Sequence, residues 1–558
     1  MKIRPPLIAV LVGISIFLCV FLFYPLAYVF KEALLPGGSF SMAFFRNLLA
    51  NPIMREAIAN SFMLAAVTTL LAALLAIPLA LVSVRYTFPA KGLLSGLLLV
   101  PMIMPPFVGA IGMRQFLARF GSVNLLLMKI GWIDAPIDWL GAARFWGVAI
   151  VMVLHLYPVM YLNIAAALAN IDPSLQEAAV NLGSNGRRLF RRVTLPLMIP
   201  GLFAGSIIVF IWALTDLGTP LVFEYRRVIP VQIFDRVTDM SSNPEGFALV
   251  VLVLALTMLI FLAGKRLFGT RAYETLAKGG ARAGEKQPGL AGRILIVTAF
   301  AAVVFIALLP HIALVLTSLR EKWFMTVLPE SCTLSHYRNA LGHKLTLPGI
   351  RNSIFLSALS TLLDLVLGVS VAYLLVRRRF KGSDILDAIV MLPLAVPGLV
   401  LAFGYVGGFA GTMLDPRENP VPLLVIAYAM RRLPYMVRAA YAGFQQVGRT
   451  LEEAAMNMGS PVPRMLRRVT MPLISANLIG GGILVFSFAM LEVSDSLILA
   501  IKERFFPITK VIYQLLHRIE DGAYVASALG VWAMVFLALS LMTAGVLLGR
   551  RMGQLFRA

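Results

Sequence analysis

The sequence is short of what a water-soluble protein displays on its surface. Only 14% of its 558 residues are Asp, Glu, Lys or Arg, against about 25% in an ordinary soluble domain. Mean hydropathy is +0.86, which excludes a soluble globular chain and a disordered one alike. Two cysteines make no disulfide framework; Cys19 lies in an apolar run and Cys332 in a polar loop, and both read as unpaired. With five histidines and no His or Cys cluster at metal spacing, no metal site is expected. No nucleophile, base and orienter set stands out either, so the chain reads as no enzyme. A phosphate-binding loop is lacking too: Gly264, Lys265 and Arg266 have neither the upstream glycine spacing nor the Ser or Thr.

What is present is a series of apolar runs, each long enough for a bilayer crossing of roughly 20 residues. They fall near 7–30, 61–84, 93–117, 144–168, 197–218 and 247–268, then 293–317, 353–376, 385–410, 421–443, 476–500 and 525–548. The expectation is an all-α polytopic membrane protein of about 12 transmembrane helices, with both termini on one side. The first run follows Lys2 and Arg4 like a secretion signal, yet it is too long and has no small-residue cleavage site, so it reads as a retained span.

The charge balance, 49 basic against 27 acidic residues, is +22. In a soluble protein that would suggest nucleic acid. Here alternate connections carry the excess: Arg85 and Lys91; Arg187, Arg188, Arg191 and Arg192; Lys265 to Arg293; Arg377 to Lys381; Arg464, Arg467 and Arg468; and Arg550 and Arg551. The opposite loops mix signs, with Glu224, Asp235, Asp239 and Glu245 in one and Glu503, Glu520 and Asp521 in another. The positive-inside rule places the basic connections and both termini in the cytoplasm, and no nucleic-acid partner is needed.

The chain is a duplication. AsnSer at 60 and 61 recurs at 352 and 353, and ValPro at 100 and 101 with Pro105 and Gly112 recurs as LeuPro at 392 and 393 with Pro397 and Gly404, an offset of 292. Further on, residues 177–197 match 453–473 at 13 of 21 positions, offset 276. Shared Leu and Val would follow from composition, but Glu, Asn, Gly, Arg, Thr and Pro in register do not. The offset changes where the first half carries an extra loop around Trp132 to Trp146. The halves therefore read as 1–268 and 293–558, joined by a Gly-, Lys- and Arg-rich linker at 269–292 and related as parallel six-helix repeats enclosing a path.

Each half holds one repeated polar segment, 172–196 and 448–472, too polar to cross. Asp172 and Pro173 suit a helix start, and Ser174 with Glu177, like Thr450 with Glu453, has capping-box spacing. Ala178, Ala179, Ala454 and Ala455 keep one face small, and Gly183 and Gly459 come where a left-handed glycine ends a helix. A second helical stretch then carries Arg191 and Arg192, or Arg467 and Arg468, back to the membrane. A single copy would read as a headgroup anchor; two in register look like docking knobs for a partner with two equivalent sockets.

GluAlaAla, a Gly four residues beyond the Ala pair, then SerAsn or SerPro and a basic run to ProLeu resemble the EAA-loop signature of inner-membrane permeases of binding-protein-dependent ABC importers. The signature occurs twice, so the chain is similar to fused permeases in which one polypeptide supplies both halves, in the branch importing ferric iron, thiamine or 2-aminoethylphosphonate. The resemblance implies the type I ABC importer permease fold and a bacterial inner-membrane location. It further implies that Glu177 to Gly183 and Glu453 to Gly459 are coupling helices for two cytoplasmic ABC ATPase subunits, which bind the ATP–Mg, and that an external solute-binding protein docks outside. The chain itself is then expected to hold no cofactor. Proline at 461 and 463, where the first copy has Asn185 and Arg187, predicts a stiffer second turn.

Ionisable groups within spans are functional candidates by default. Asp216 and Glu492 correspond at offset 276, and a matched acidic pair suits a hard cation such as ferric iron; their place near the outer interface favours instead that the two cap helix ends or pair with nearby arginines. Arg431 and Arg432 precede Pro434 as His155 and Leu156 precede Pro158, and they suit a phosphonate or another anion, or a structural pairing with Asp364. The family leaning is to ferric iron, with 2-aminoethylphosphonate or thiamine next. A secondary active transporter shares the six-plus-six repeat but has no use for the knobs; a membrane scaffold would have no solute path.

Overall fold

In lipid, a backbone has no hydrogen-bond partner except its own helical turns, and apolar runs of Leu, Ala, Val and Ile accordingly form helices. A computed structural model of the chain describes residues 5–102, 104–141, 144–237, 245–268, 287–323 and 325–548. Most of the expected linker (269–286), Asp239, Arg550 and Arg551 lie outside the described residues. Among those described, the strands are Arg320–Lys322 and Ser331–Cys332, one antiparallel pair. Cys19 and Cys332 are free and exposed.

Eight helices of the described residues are long and apolar enough to cross a membrane: Ile8–Leu34, Pro52–Arg85, Phe145–Ala169, Gly186–Val222, Leu290–Leu319, Thr346–Arg377, Val462–Met490 and Gly522–Ser540. Two more expected spans, 93–117 and 385–410, are corrected: neither is one straight helix. Lys91–Met102 meets Pro106–Phe116 at 93°, and Ser383–Leu394 meets Gly398–Gly408 at 95°. At each break a proline stands extended, Pro105 at ψ 137° and Pro397 at ψ 136°, where a helix cannot continue. The remaining windows hold Glu245–Phe268 and Val421–Gln446, the latter carrying Arg431, Arg432 and Arg438.

The halves of the sequence are not the compact units of the structure. One unit gathers 1–46, 234–251 and 337–558, and the other gathers 47–233 and 252–336. The first helix of each sequence half thus packs into the unit built from the opposite half. The matched glycines explain how. A Cβ at Gly112 would run into the backbone of Ala313 and Leu314, and one at Gly404 would lie 3.0 Å from the Pro25 carbonyl oxygen. Each bent pair therefore offers a side-chain-free groove to the incoming helix, the close backbone approach that small residues permit within membranes. Tyr24 Oη donates to the Gly408 carbonyl and Tyr405 Oη to that of Phe21, both at 2.7 Å; in the other unit, the rings of Phe88 and Phe300 meet at 4.9 Å.

The repeated AsnSer has a structural reason as well. Ser61 Oγ accepts the Ile229 amide and Ser353 Oγ accepts that of Ile508, each at 2.7 Å. Asn60 Nδ2 donates to Arg227 O, and Asn352 Nδ2 to Arg504 O, each at 2.9 Å. In each unit the pair ties the start of a long helix to the loop that follows the polar segment's span.

Candidate coupling site

The two polar segments fold alike, residue for residue. Pro173–Asn181 and Arg449–Asn457 are nine-residue helices. Gly183 (φ 80°) and Gly459 (φ 83°) end them left-handed. The amides of Gly183 and Ser184 bond to Val180 O and Ala179 O at 2.9 Å; those of Gly459 and Ser460 bond to Met456 O and Ala455 O at 2.9 and 3.1 Å. This is a glycine-dependent C-terminal cap in both copies. A short helix follows, Gly186–Leu189 or Val462–Met465, then a π-turn, Phe190–Thr194 or Leu466–Thr470, that opens the next span. Asn185 and Pro461 both stand extended, so the proline leaves the backbone course unchanged.

The helix starts differ from the expected capping boxes. In the first copy Asp172 is the cap, its Oδ1 accepting the Ser174 amide at 2.9 Å, a bond that holds its carboxyl below the ordinary range. In the second, Gly448 occupies the cap without a side-chain bond, and Thr450 is already inside the helix. Neither Ser174 nor Thr450 serves as a cap, because the helix begins a residue or more ahead of each.

The segments are tied to the bundle by different chemistry. In the first, Arg85 Nη2 donates to Thr194 Oγ1 at 2.7 Å. In the second, Arg377, which corresponds to Arg85, donates through Nε to both oxygens of Glu452 at 3.0 and 2.9 Å, and Thr470 Oγ1 donates to Glu452 Oε1 at 3.0 Å. Both side chains of that ion pair are only 6% exposed. Glu452 matches Gln176 of the first copy, so where the first copy has an arginine–hydroxyl tie the second has an ion pair. Behind it, Ala372, Tyr373, Ala440, Phe444, Ile474 and Leu478 form a buried core where three helices meet, and Arg377 also lies over the Phe444 ring.

The opposite face is open. Glu177, Ala178, Gly183, Arg191 and Arg192 are exposed, as are Glu453, Ala454, Gly459, Arg467 and Arg468; Ala179 is half-buried and Ala455 buried. Leu182 and Met458, one residue before each glycine, are both 86% exposed. Each polar segment thus projects a large apolar side chain at its tip.

Within the bundle, the expected path residues fall into separate arrangements. Arg431 and Arg432 both pair with Glu492, Arg431 Nη1 at 2.6 Å from Oε1 and Arg432 Nη2 against Oε2. Arg432 also donates to Phe488 O at 2.7 Å. Asp495, buried beside them, lies 3.9 Å from Arg431. Asp364 forms no ion pair with the arginines, and among the described residues neither of its oxygens has a hydrogen-bond partner. Asp216, the counterpart of Glu492, accepts the Thr219 amide at 3.1 Å, in the first turn of the short helix Gly218–Val222. Among the described residues no three His, Cys, Asp or Glu side chains come together as a metal site.

Two regions of the chain, 68–272 and 364–554, match the family described as "Binding-protein-dependent transport system inner membrane component". The chain belongs to this family. It is a multi-pass inner-membrane permease of the fused kind, with both polar segments inside the matched regions. Its curated relatives include the ferric transport system permease protein FbpB of Actinobacillus pleuropneumoniae, 27% identical over 94% of this chain and 76% of that protein. A putative ferric transport system permease protein, FbpB 1 of Haemophilus influenzae, is 27% identical over 88% of this chain and 77% of its own length. The molybdenum transport system permease protein ModB of Escherichia coli is 28% identical over 32% of this chain and 78% of its own length.

In this permease, sequence reasoning passed over the residues that hold the segments in place. Arg85 and Arg377 read as topological charge, and Glu452 stood next to the recognised Glu453. The available signal was that both arginines end the span ahead of a bent pair at the same offset of 292.

Proposed function

We propose that the chain forms the membrane-spanning path of an ATP-driven importer of ferric iron. In this reading Glu177 to Gly183 and Glu453 to Gly459 dock into two cytoplasmic ABC ATPase subunits that bind ATP–Mg, and an external binding protein delivers the iron. Both termini are cytoplasmic. The observation that carries it is the pair of matched segments, alike in backbone and each presenting an exposed Leu182 or Met458 beside an exposed Glu177 or Glu453. Two such knobs suit a partner with two equivalent sockets, and burial of each apolar tip supplies association energy.

Closure of the ATPase pair then draws the knobs together, and the rigid short helix and π-turn pass that movement into the span that follows. The permease is a two-state element biased by ATP at one face and the loaded binding protein at the other. No bond is made or broken in this chain.

The cargo reading is supported by relatives named for ferric transport that align along 94% and 88% of the chain. It is also supported by the engagement of Arg431 and Arg432 with Glu492, which occupies the two guanidiniums that would otherwise suit a phosphonate. The test is tagged pull-down from solubilised membranes, an ATPase assay on what co-purifies, and radioactive ferric iron uptake in cells. A stoichiometric ATPase whose activity rises with the iron-loaded binding protein supports the proposal. A chain that emerges alone and inert toward ATP defeats the coupling reading, and uptake unchanged after Glu177→Ala with Glu453→Ala does the same.

A further inference from the structure

Helix Leu290–Leu319, the helix Pro106–Phe116 and the helix Phe145–Ala169 line a small, partly open cavity of about 10 Å³, the space of one water-sized body. Two imidazoles face it, His155 and His311, together with the thioether side chain of Met104; no carboxylate does. His311 is 8% exposed, and neither of its ring nitrogens has a hydrogen-bond partner among the described residues. A buried polar group left unpaired is costly, so the cavity is a place where something polar or cationic is welcome.

His155 is prepared for the same occupant. Its Nδ1 lies 2.9 Å from the Pro101 carbonyl oxygen. A carbonyl only accepts, so Nδ1 carries the proton and Nε2 keeps its lone pair. A backbone carbonyl fixing the far nitrogen in this way is how metal-ligating histidines are oriented. The surround is stiff: Pro101, Pro106 and Pro310 line it, and a Cβ at Gly109 would come within 2.9 Å of Met104 Cε and Pro310 Cβ.

We propose that this cavity binds one soft monovalent cation of the Cu(I) and Ag(I) class, held by His155 Nε2, a ring nitrogen of His311 and the Met104 sulfur. Imidazole and thioether are the donors such ions select. All three are uncharged, so a divalent or trivalent ion would bring two or more uncompensated charges into the bundle, at a prohibitive desolvation cost. A hard ion such as ferric iron finds no oxygen ligand there, so the site is distinct from the cargo reading and does not rest on it. Occupancy would pin the first helix of the second sequence half to the bent pair beneath it.

The test uses the full chain in detergent with Cys19→Ser and Cys332→Ser, since both exposed thiols bind the same ions. Ag(I) retention is measured by elemental analysis, and Cu(I) affinity by competition with a chromophoric chelator under reductant. One equivalent is expected; His311→Gln should remove it, and Met104→Leu should weaken it by about tenfold or more. Equal retention with and without His311 overturns the proposal, as does no retention at all, which would leave a water in the cavity. If His311→Gln does not fold, X-ray absorption of the Cu(I)-loaded parent decides: imidazole scattering with one sulfur supports the site, and sulfur alone refutes it.

Discussion

The two polar segments share a backbone and differ in what fastens them. The first hangs on a hydroxyl, Arg85 to Thr194; the second on a buried triad, Arg377, Glu452 and Thr470. Main-chain symmetry after duplication therefore does not imply energetic symmetry. A glycine cap and a π-turn specify the shape in both copies, while one residue, Gln176 or Glu452, decides how firmly that shape is held. If both segments receive the same ATPase, the two sockets pull on handles of unequal stiffness.

The sharpest break of that comparison is Glu452→Ala. It leaves Arg377 buried without its carboxylate, a change expected to cost about 3–5 kcal/mol, whereas Gln176→Ala, at a half-buried position, should stay within about 0.5 kcal/mol. Thermal unfolding in detergent, with hydrogen exchange across 449–470, measures both; equal losses would erase the asymmetry.

Next come the threonines, with the order reversed. Thr194→Val removes the acceptor of a charged donor, worth about 1.5–3 kcal/mol, while Thr470→Val removes one donor to a carboxylate that keeps its arginine, nearer 1 kcal/mol. The same unfolding assay ranks them.

Leu182→Ser and Met458→Ser should each shift stability by less than about 0.5 kcal/mol, since both side chains already face solvent. Each is nonetheless expected to weaken ATPase co-purification, and unequal weakening would assign different strengths to the two sockets.

The smallest effect is on pH dependence. Glu224 lies between Arg144 and Arg114, at 2.6 and 2.8 Å. The hydrogen bond from Arg144, then that from Arg114 and the charge of both, hold its carboxyl below the ordinary range. A depressed folded-state value contributes stability above the unfolded value, and that contribution is lost as pH falls through the folded one. Acid should therefore loosen this loop, with a modest amplitude because the pair is half-exposed. Proteolysis of the loop against pH should show that dependence in the parent and none in Glu224→Gln.

Much of this was legible in the sequence. The repeat, the apolar runs and the glycine ends of the polar segments are local patterns, and Gly183 and Gly459 stand where a left-handed cap requires them. The sharp bends were not, because hydropathy reports that residues 93–117 are apolar and is blind to a turn at Pro105. The exchange of first helices was not either, since Gly112 and Gly404 announce a close approach without naming the helix that approaches. Pairing was the hardest to read. Arg431 and Arg432 select Glu492 over Asp364 through packing of the helices that carry them, and His155 meets His311 across a sequence distance no periodicity spans.

That exchange sets an order on how the protein can be made. The groove at Gly112 is filled by Ala313 and Leu314, residues that leave the ribosome only after the whole first half and the linker have been synthesised. Until then the early half carries an unfilled seat, and the first helix of the chain waits in turn for Gly404. A product cut short before the second half begins is thus marked as unfinished by its own open groove, and a gene split at the linker would yield two fragments that can complete their packing only by finding each other in the membrane.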